Sequence, residues 1–200
     1  LQVPGGTTST YLFLNDERGD MALAVSDMEI YAHVTPAYLS AQRGLLDNAQ
    51  LIVFDTNTPA ETIAWLAEHA RVPLFSDPVS TAKAEKLRPV LGKLHTLKPN
   101  RIEAELLSGV PITDAASLDR AADALLETGL RRVLISLGGD GIFAADHRER
   151  FHVPCYPGSM VNTTGCGDAA MAAVAWAYLE GTDLLGTARA ALAAGAVAME

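Results

Sequence analysis

The sequence predicts an α/β fold in which helices cover both faces of a mostly parallel sheet and a small β-hairpin is attached. From residue 36 onward, short apolar runs alternate with segments whose apolar residues recur at helical spacing, as in strand–helix–strand units. Residues 1–30 instead hold two β-prone segments separated by a polar turn, which is typical of a hairpin. We therefore expect a hairpin segment over residues 1–30 and an α/β core over residues 31–200.

Each element follows from local composition. The hairpin strands are predicted at 8–14 and 21–25, where β-prone residues flank the turn,. Short apolar runs predict the buried strands, which are 51–54, 72–75, 95–97, 132–136 and 141–145,. Helical spacing and helix-start residues predict helices at 36–47, 58–70, 81–91, 101–107, 115–127 and from 169 onward,. Thr35 is expected to cap the first of these helices, with Pro36 at its first position.

Composition and charge favour a small ligand. The 200 residues are 49% hydrophobic and 20% charged, with a formal net charge of −9, as in an ordinary globular protein. The clustered Lys and Arg of a nucleic-acid groove and the long apolar run of a membrane span are both missing from the sequence. The two cysteines have no metal-binding spacing, which favours reduced thiols in a cytoplasmic protein. The expected partner is a small molecule, not nucleic acid or a membrane.

The segment that ends in Gly165-Cys166-Gly167-Asp168 carries the clearest chemistry. Glycines let backbone N–H groups crowd around a ligand, and a helix start leaves those groups unpaired with partial positive charge. The result is an anion site suited to phosphate. An acid inside such a site suggests a proton acceptor, and hence phosphoryl transfer to a hydroxyl. The plainer alternative is an ordinary acid that favours the helix dipole.

Asn100 and Glu103 form a second candidate site at a predicted helix start. Their spacing allows both side chains to face one point, and an amide with a carboxylate suits a hydrated Mg²⁺. The plainer alternative is a capping box.

A third candidate is the strand–turn–strand segment from Ser136 to Gly141. Its Gly-rich turn could hold the phosphates or sugar of a nucleotide, although a simple hairpin turn gives the same pattern. The GxxxxGK[ST] motif is not in the sequence, so a P-loop enzyme is excluded,.

The order of these three motifs resembles that of the ribokinase-like (PfkB) carbohydrate kinase family, over essentially the whole chain. The resemblance implies a three-layer α/β/α fold with the hairpin as a lid, and phosphorylation of a hydroxyl by ATP with Mg²⁺. It makes Asp168 the catalytic base and Gly165, Cys166 and Gly167 the anion hole. It assigns Asn100 and Glu103 to the Mg²⁺–phosphate network, with Mg²⁺ bound through water. The remaining nucleotide contacts that it implies are Ser136, Gly138, Gly139, Gly141, Thr164, Ala194 and Val197.

Finer features are similar to family members that phosphorylate the 5′-hydroxyl of pseudouridine. They are the segments 8–12, 27–28, 77–80 with Lys83, and 95–100. This likeness implies that Thr10, Asp77 and Lys83 contact the substrate together with Asp168. The alternatives are a kinase for another acceptor (ribose, a sugar acid or an adenosine-like nucleoside) and a non-catalytic nucleoside- or nucleotide-binding protein of this fold. The free edge of the hairpin suggests a homodimer through the lid.

The sequence departs from the family pattern at two positions of the Asp168 motif and at both ends. Asn162 replaces an Asp tied to a monovalent cation, so activation by K⁺ is doubtful. Cys166 replaces Ala at a helix start, where a thiol is expected to have a lowered pKa and to be reactive. The family's N-terminal sugar-binding strands and the C-terminal tail that closes the adenine pocket are expected to be missing from this sequence.

Overall fold

Six strands form a central sheet, and two further strands form a separate hairpin. The structure is a computed structural model that describes residues 1–15, 21–156 and 164–199. The hairpin strands are β1 (Thr10–Asn15) and β2 (Met21–Asp27), which pair antiparallel with Leu12 opposite Val25. The predicted hairpin is thereby confirmed, although its turn lies outside the described residues.

The central sheet is mostly parallel, as predicted. Its strands, in spatial order, are β3 (Ile52–Asp55), β4 (Leu74–Asp77), β5 (Thr96–Leu97), β6 (Arg132–Ser136), β7 (Ile142–Asp146) and β8 (Arg150–Val153). The pairs from β3 to β6 are parallel, and β7 and β8 add antiparallel to one edge. The sequence did not predict β8, because exposed Arg150 and His152 alternate with the apolar residues of this short edge strand.

The described helices lie between and after these strands. They are α1 (Pro36–Ala41), α2 (Arg43–Asp47), α3 (Ala60–His69), α4 (Thr81–Ala84), α5 (Arg101–Ser108), α6 (Ala115–Glu127), α7 (Cys166–Leu179) and α8 (Leu184–Met199). Short 3₁₀ helices occupy Glu29–His33, Glu85–Lys93 and Gly138–Asp140. Within the described ranges, none of the helices has the length and apolar character needed to cross a bilayer.

Two predicted helices differ from the structure. The helix predicted over 36–47 is split into α1 and α2 at Gln42, although Thr35 caps α1 as expected, since its hydroxyl accepts the N–H of Tyr38 at 3.1 Å. The helix predicted over 81–91 is α-helical only in α4 and continues as a 3₁₀ helix. Pro89 lies inside that segment and lacks the N–H of a regular helical turn.

Side chains that alternate between the two faces of the sheet pack against one layer of helices on each face. On β6, Val133 and Ile135 belong to the core shared with α3, α5, α6 and the Glu85–Lys93 helix. Leu134, which points to the other face, belongs to the core shared with α7 and α8, as the period-two geometry of a strand requires. The three-layer α/β/α arrangement follows from this alternation.

The carboxyl ends of the parallel strands meet at one edge of the sheet. Asp55 at the end of β3 lies opposite Asp77 at the end of β4. Beyond β5, Asn100 bridges to Ser136 at the end of β6, and the N–H of Ser136 donates to the Pro99 carbonyl at 2.9 Å. Ligands bind at this edge in open α/β sheets.

Candidate active site

The start of α7 presents an acid on a turn of small residues. Gly165 precedes the helix with a left-handed backbone (φ 88°), which glycine adopts without steric cost. Asp168 lies in the first turn of this 14-residue helix and is exposed. The first N–H groups of such a helix are unpaired within it. The structure therefore places an accessible carboxylate in the first turn of α7, beside N–H groups that are unpaired within the helix,. Asn162 and the start of its motif lie outside the described residues.

A buried ion pair lies directly against this turn. The Lys98 ammonium and the Asp77 carboxylate are 2.7 Å apart, and their side chains are 5% and 18% exposed. A Cβ atom at Gly167 would lie 3.6 Å from Lys98 Nζ and 4.0 Å from Asp77 Oδ2. Asp77 is also fixed by its own turn, because Oδ1 accepts the N–H of Val79 at 2.9 Å. The ends of β4 and β5 thus bring a cation and an anion to the start of α7.

Asn100 and Glu103 form the capping box that the sequence allowed as an alternative. Asn100 Oδ1 accepts the Glu103 N–H at 2.9 Å, and Glu103 Oε2 accepts the Asn100 N–H at 2.8 Å. Glu103 is buried, and this burial raises the pKa of its carboxyl, with the charge of Asp77 acting in the same direction. The Asn100 N–H bond and the charge of Lys98 lower that pKa in part. The box engages the single side-chain oxygen of Asn100 and one of the two oxygens of Glu103. Glu103 also lies in the electrostatic field of the Lys98–Asp77 ion pair.

Asn100 and Glu103 could hold a metal ion only if water molecules and substrate phosphates supply its other ligands. Within the described residues, no three His, Cys, Asp or Glu side chains are close enough together to bind one. A single carboxylate nevertheless fits Mg²⁺, which usually keeps several waters and shares substrate phosphates. The second oxygen of Glu103 suits that role, since Oε2 is the one that accepts the Asn100 N–H.

The three glycines of the turn between β6 and β7 have different local requirements. Gly138 adopts a left-handed backbone (φ 62°) with open space where a Cβ would lie. Gly139 is equally open and exposed. At Gly141 a Cβ would lie 2.1 Å from the Val153 carbonyl oxygen, so the fold itself requires glycine there. The hairpin turn that the sequence allowed is present. The part of it with free space around the glycines is the Gly138–Asp140 helix.

The end of α8 lies beside the start of α7. A Cβ at Gly195 would lie 3.7 Å from the carbonyl oxygen of Cys166, so α8 approaches the Gly165–Gly167 turn at Gly195, the residue after Ala194. Val197, one turn further on, is exposed. The expectation of a lowered pKa at Cys166 is wrong, because burial raises the pKa of this half-buried thiol. Thr164, which precedes the turn, is also half-buried.

The residues implied to contact the substrate lie at three different places. Asp77 is at the α7 turn. Lys83 donates to Asn57 Oδ1 at 2.6 Å, and Asn57 is held by Asp55, so this lysine is anchored at the loop after β3. Thr10 is exposed on β1, where its hydroxyl hydrogen-bonds locally, to the Thr8 carbonyl. Within the described ranges, no hydrogen bond or ion pair joins Thr10 to the residues at the carboxyl edge of the sheet.

The residue that the sequence reasoning did not select is Lys98. Lysines are rarely buried, so composition gave no reason to single it out. A signal was available, because Lys98 directly follows a predicted buried strand and precedes Pro99-Asn100. That position is at the carboxyl end of a parallel strand, where ligand-binding residues collect.

Comparison with known sequences identifies the class of protein. The pfkB family carbohydrate kinase pattern matches residues 1–200. The chain therefore belongs to the PfkB family of carbohydrate kinases, which confirms the resemblance drawn from its motifs.

Individual relatives and solved structures are similar to the chain over 80% or more of its length. Pseudouridine kinase of Escherichia coli (strain K12) is 38% identical over 202 residues, which cover 100% of this chain and 64% of that protein. Among solved structures, ribokinase from Thermotoga maritima superposes with a TM-score of 0.83 at 23% identity, covering 96% of this chain and 63% of that one. Arabidopsis thaliana ribokinase complexed with ribose and ATP superposes with a TM-score of 0.70 at 24% identity, covering 80% and 52%. The chain spans less than two thirds of the length of each.

Proposed function

We propose that the protein transfers the γ-phosphoryl group of ATP to the 5′-hydroxyl of pseudouridine. The observation that carries this proposal is exposed Asp168 in the first turn of α7, directly after Gly165 and Gly167. Likeness to the 38% identical pseudouridine kinase supports the choice of acceptor. The motif order of the family supports ATP as the donor.

Asp168 acts as the general base in this reaction. The substrate oxygen attacks the γ-phosphorus, the bond from that phosphorus to the ADP oxygen breaks, and Asp168 Oδ takes the hydroxyl proton. The N–H groups of the first α7 turn stabilise charge on the phosphoryl group as it moves. Gly165, Cys166 and Gly167 supply this turn, and the two glycines allow the backbone to approach the phosphate closely.

ATP lies across the carboxyl edge of the sheet. Glu103 and Asn100 would hold Mg²⁺ through water, and a bound ion would supply positive charge to neutralise the phosphates. The rest of the nucleotide is placed against the strand ends and helix ends that face this edge. Its proposed contacts are Thr164, Ser136, Gly138, Gly139, Gly141, Ala194 and Val197.

The substrate lies between this edge and the hairpin, which acts as a lid. Asp77 contacts it from the end of β4, Lys83 from α4, and Thr10 from β1. The hairpin also supports a homodimer, since its exposed strands offer a free edge for pairing with a second copy,. Sedimentation of the intact protein as a monomer at micromolar concentration would count against that assembly.

The test of this function compares an acid in the first turn of α7 with an acid that follows its last residue. Asp168→Asn in the intact protein should lower kcat by about 100-fold or more, because general-base catalysis is worth about 10²–10⁴. The dissociation constant for pseudouridine should change only a few-fold. Glu180→Gln, at the exposed far end of α7, is the matched control and should keep full activity.

The same assay, run over a panel of acceptors, tests the substrate. ATP consumption should be highest with pseudouridine, compared with uridine, adenosine, ribose and sugar acids. A preference for another acceptor would replace pseudouridine but keep the kinase. Unchanged turnover in Asp168→Asn would remove Asp168 from its role, and binding of ATP and nucleoside without turnover by the unaltered protein would indicate a non-catalytic binding protein.

A further inference from the structure

Lys98 is a buried cation in an electrostatically costly place. Its side chain is 5% exposed, and burying an ammonium is costly unless it is paired. In the described part of the chain its ion-pair partner is Asp77, at 2.7 Å. An ammonium carries three N–H donors, so this pair leaves donor capacity for a further anion.

The position of the Lys98–Asp77 ion pair increases the free-energy cost of burying the ammonium. Lys98 Nζ lies 3.6 Å from where a Cβ of Gly167 would be, so the ammonium lies against the positive end of a 14-residue helix,. A cation and a helix N-terminus repel one another, and both favour an anion placed between them. Asp77 offsets part of the positive charge, but Oδ1 of that carboxylate already accepts the Val79 N–H. The arrangement suits an anion that both the helix start and the ammonium contact.

We propose that Lys98 binds the phosphoryl group during its transfer to the acceptor hydroxyl. This inference rests on the proposed function and adds to it a catalytic residue, at the end of β5, whose charge lies beside the first N–H groups of α7. Before the phosphate arrives, Asp77 holds the ammonium in position. No bond to Lys98 forms or breaks. Its charge stabilises the oxygens while Asp168 takes the proton.

A contact between Lys98 and the phosphoryl group also affects which ligands bind. The product carries the phosphate on its 5′-oxygen and the substrate does not, so Lys98 should favour pseudouridine 5′-phosphate over pseudouridine. Removing one donor to a charged transition state costs about 10²–10³ in kcat. The loss should appear in kcat and in affinity for the phosphorylated product more than in affinity for the nucleoside.

The experiment uses the Asp77→Asn background, since Lys98→Met alone would leave a largely buried carboxylate unpaired. Asp77→Asn and the Lys98→Met/Asp77→Asn double variant of the intact protein are compared for kcat and, by calorimetry, for binding of the nucleoside and its 5′-phosphate. The double variant should show about 100-fold lower kcat and at least about 10-fold weaker discrimination in favour of the phosphate. Lys93→Met, which removes an exposed lysine, is the control and should match the unaltered protein.

A double variant within about 3-fold of Asp77→Asn in both measurements overturns the inference and leaves Lys98 with a structural role. Only the role of Lys98 fails if the unaltered protein phosphorylates pseudouridine, Asp168→Asn loses that activity, and the double variant keeps the activity of Asp77→Asn. If the unaltered protein phosphorylates no acceptor, the proposed function and this inference fail together.

Discussion

Replacing Gly141 with Ala tests whether the glycines of the β6–β7 turn serve the fold or a ligand. Gly141 has φ 94° and ψ −138°, a region that is nearly restricted to glycine and costs other residues about 1–3 kcal/mol. The added Cβ would lie 2.1 Å from the Val153 carbonyl oxygen, 2.8 Å from Pro154 Cα and 2.9 Å from Cys155 N. All three are backbone atoms, so the segment after β8 must move, and such overpacking typically costs about 1–3 kcal/mol more. We therefore expect Gly141→Ala to lower the free energy of unfolding by about 2–6 kcal/mol.

Urea denaturation followed by circular dichroism measures this loss, and thermal unfolding should show a Tm lower by about 10 °C or more. Gly139→Ala is the matched control, because its Cβ would meet nothing within 4 Å and its φ is not left-handed. That variant should keep its stability but raise the KM for ATP if the backbone approaches the nucleotide. A loss below about 1 kcal/mol in Gly141→Ala would refute the reasoning, because the protein would then accommodate both the clash and the backbone strain at almost no cost in free energy.

Two further predictions concern the interior of the sheet. Burial holds the pKa of His95 at about 4, against 6.5 for an exposed histidine, so the unfolded chain binds more protons between those values and stability falls as pH drops through that window. With a discount for partial exposure, the loss from pH 7 to pH 5 should be about 1–2 kcal/mol, and it should disappear in His95→Phe, which keeps the ring stacked on Phe75. Ser76 is fully buried, and its hydroxyl has no hydrogen-bond partner among the described residues, so Ser76→Ala should raise the free energy of unfolding by up to about 1 kcal/mol. Thr56→Val, which removes a buried hydroxyl that donates to a carbonyl, should lower it by a similar amount, and equal signs for these two variants in urea titrations would contradict the argument.

The sequence was sufficient for the order of elements and for part of the site. Alternating apolar runs and helical periodicity predicted β3 to β7 and most helices, because those patterns reflect burial on one or two faces of an element. The predicted order of strands, together with the rule that ligands meet the carboxyl ends of parallel strands, points to the edge where Asp55, Asp77 and Asn100 lie. Neither the break at Gln42 nor β8 was predicted, and the pairing of β8 depends on a partner strand more than on its own composition.

The candidate site was predictable to a lesser degree. Asp168 could be placed at a helix start because the glycines and the apolar run around it are contiguous in the chain. The role of Lys98 was not accessible in this way, since burial of a lysine depends on residues that are distant in sequence. Gly139 and Gly141 look alike in the sequence, but only the approach of β8 makes one of them indispensable to the fold.

What the sequence determined by itself is therefore the class of fold, the order of its elements and the identity of the acid at the start of α7. These features arise from neighbouring residues, whose periodicity and helix-start chemistry act over a few positions. The tertiary structure decided which charges share one environment: it buried Lys98 with Asp77 against Gly167 and placed Glu103 in their field. It also reversed the expected effect on Cys166, because burial raises the pKa of that thiol more than the hydrogen bond to its own backbone lowers it,.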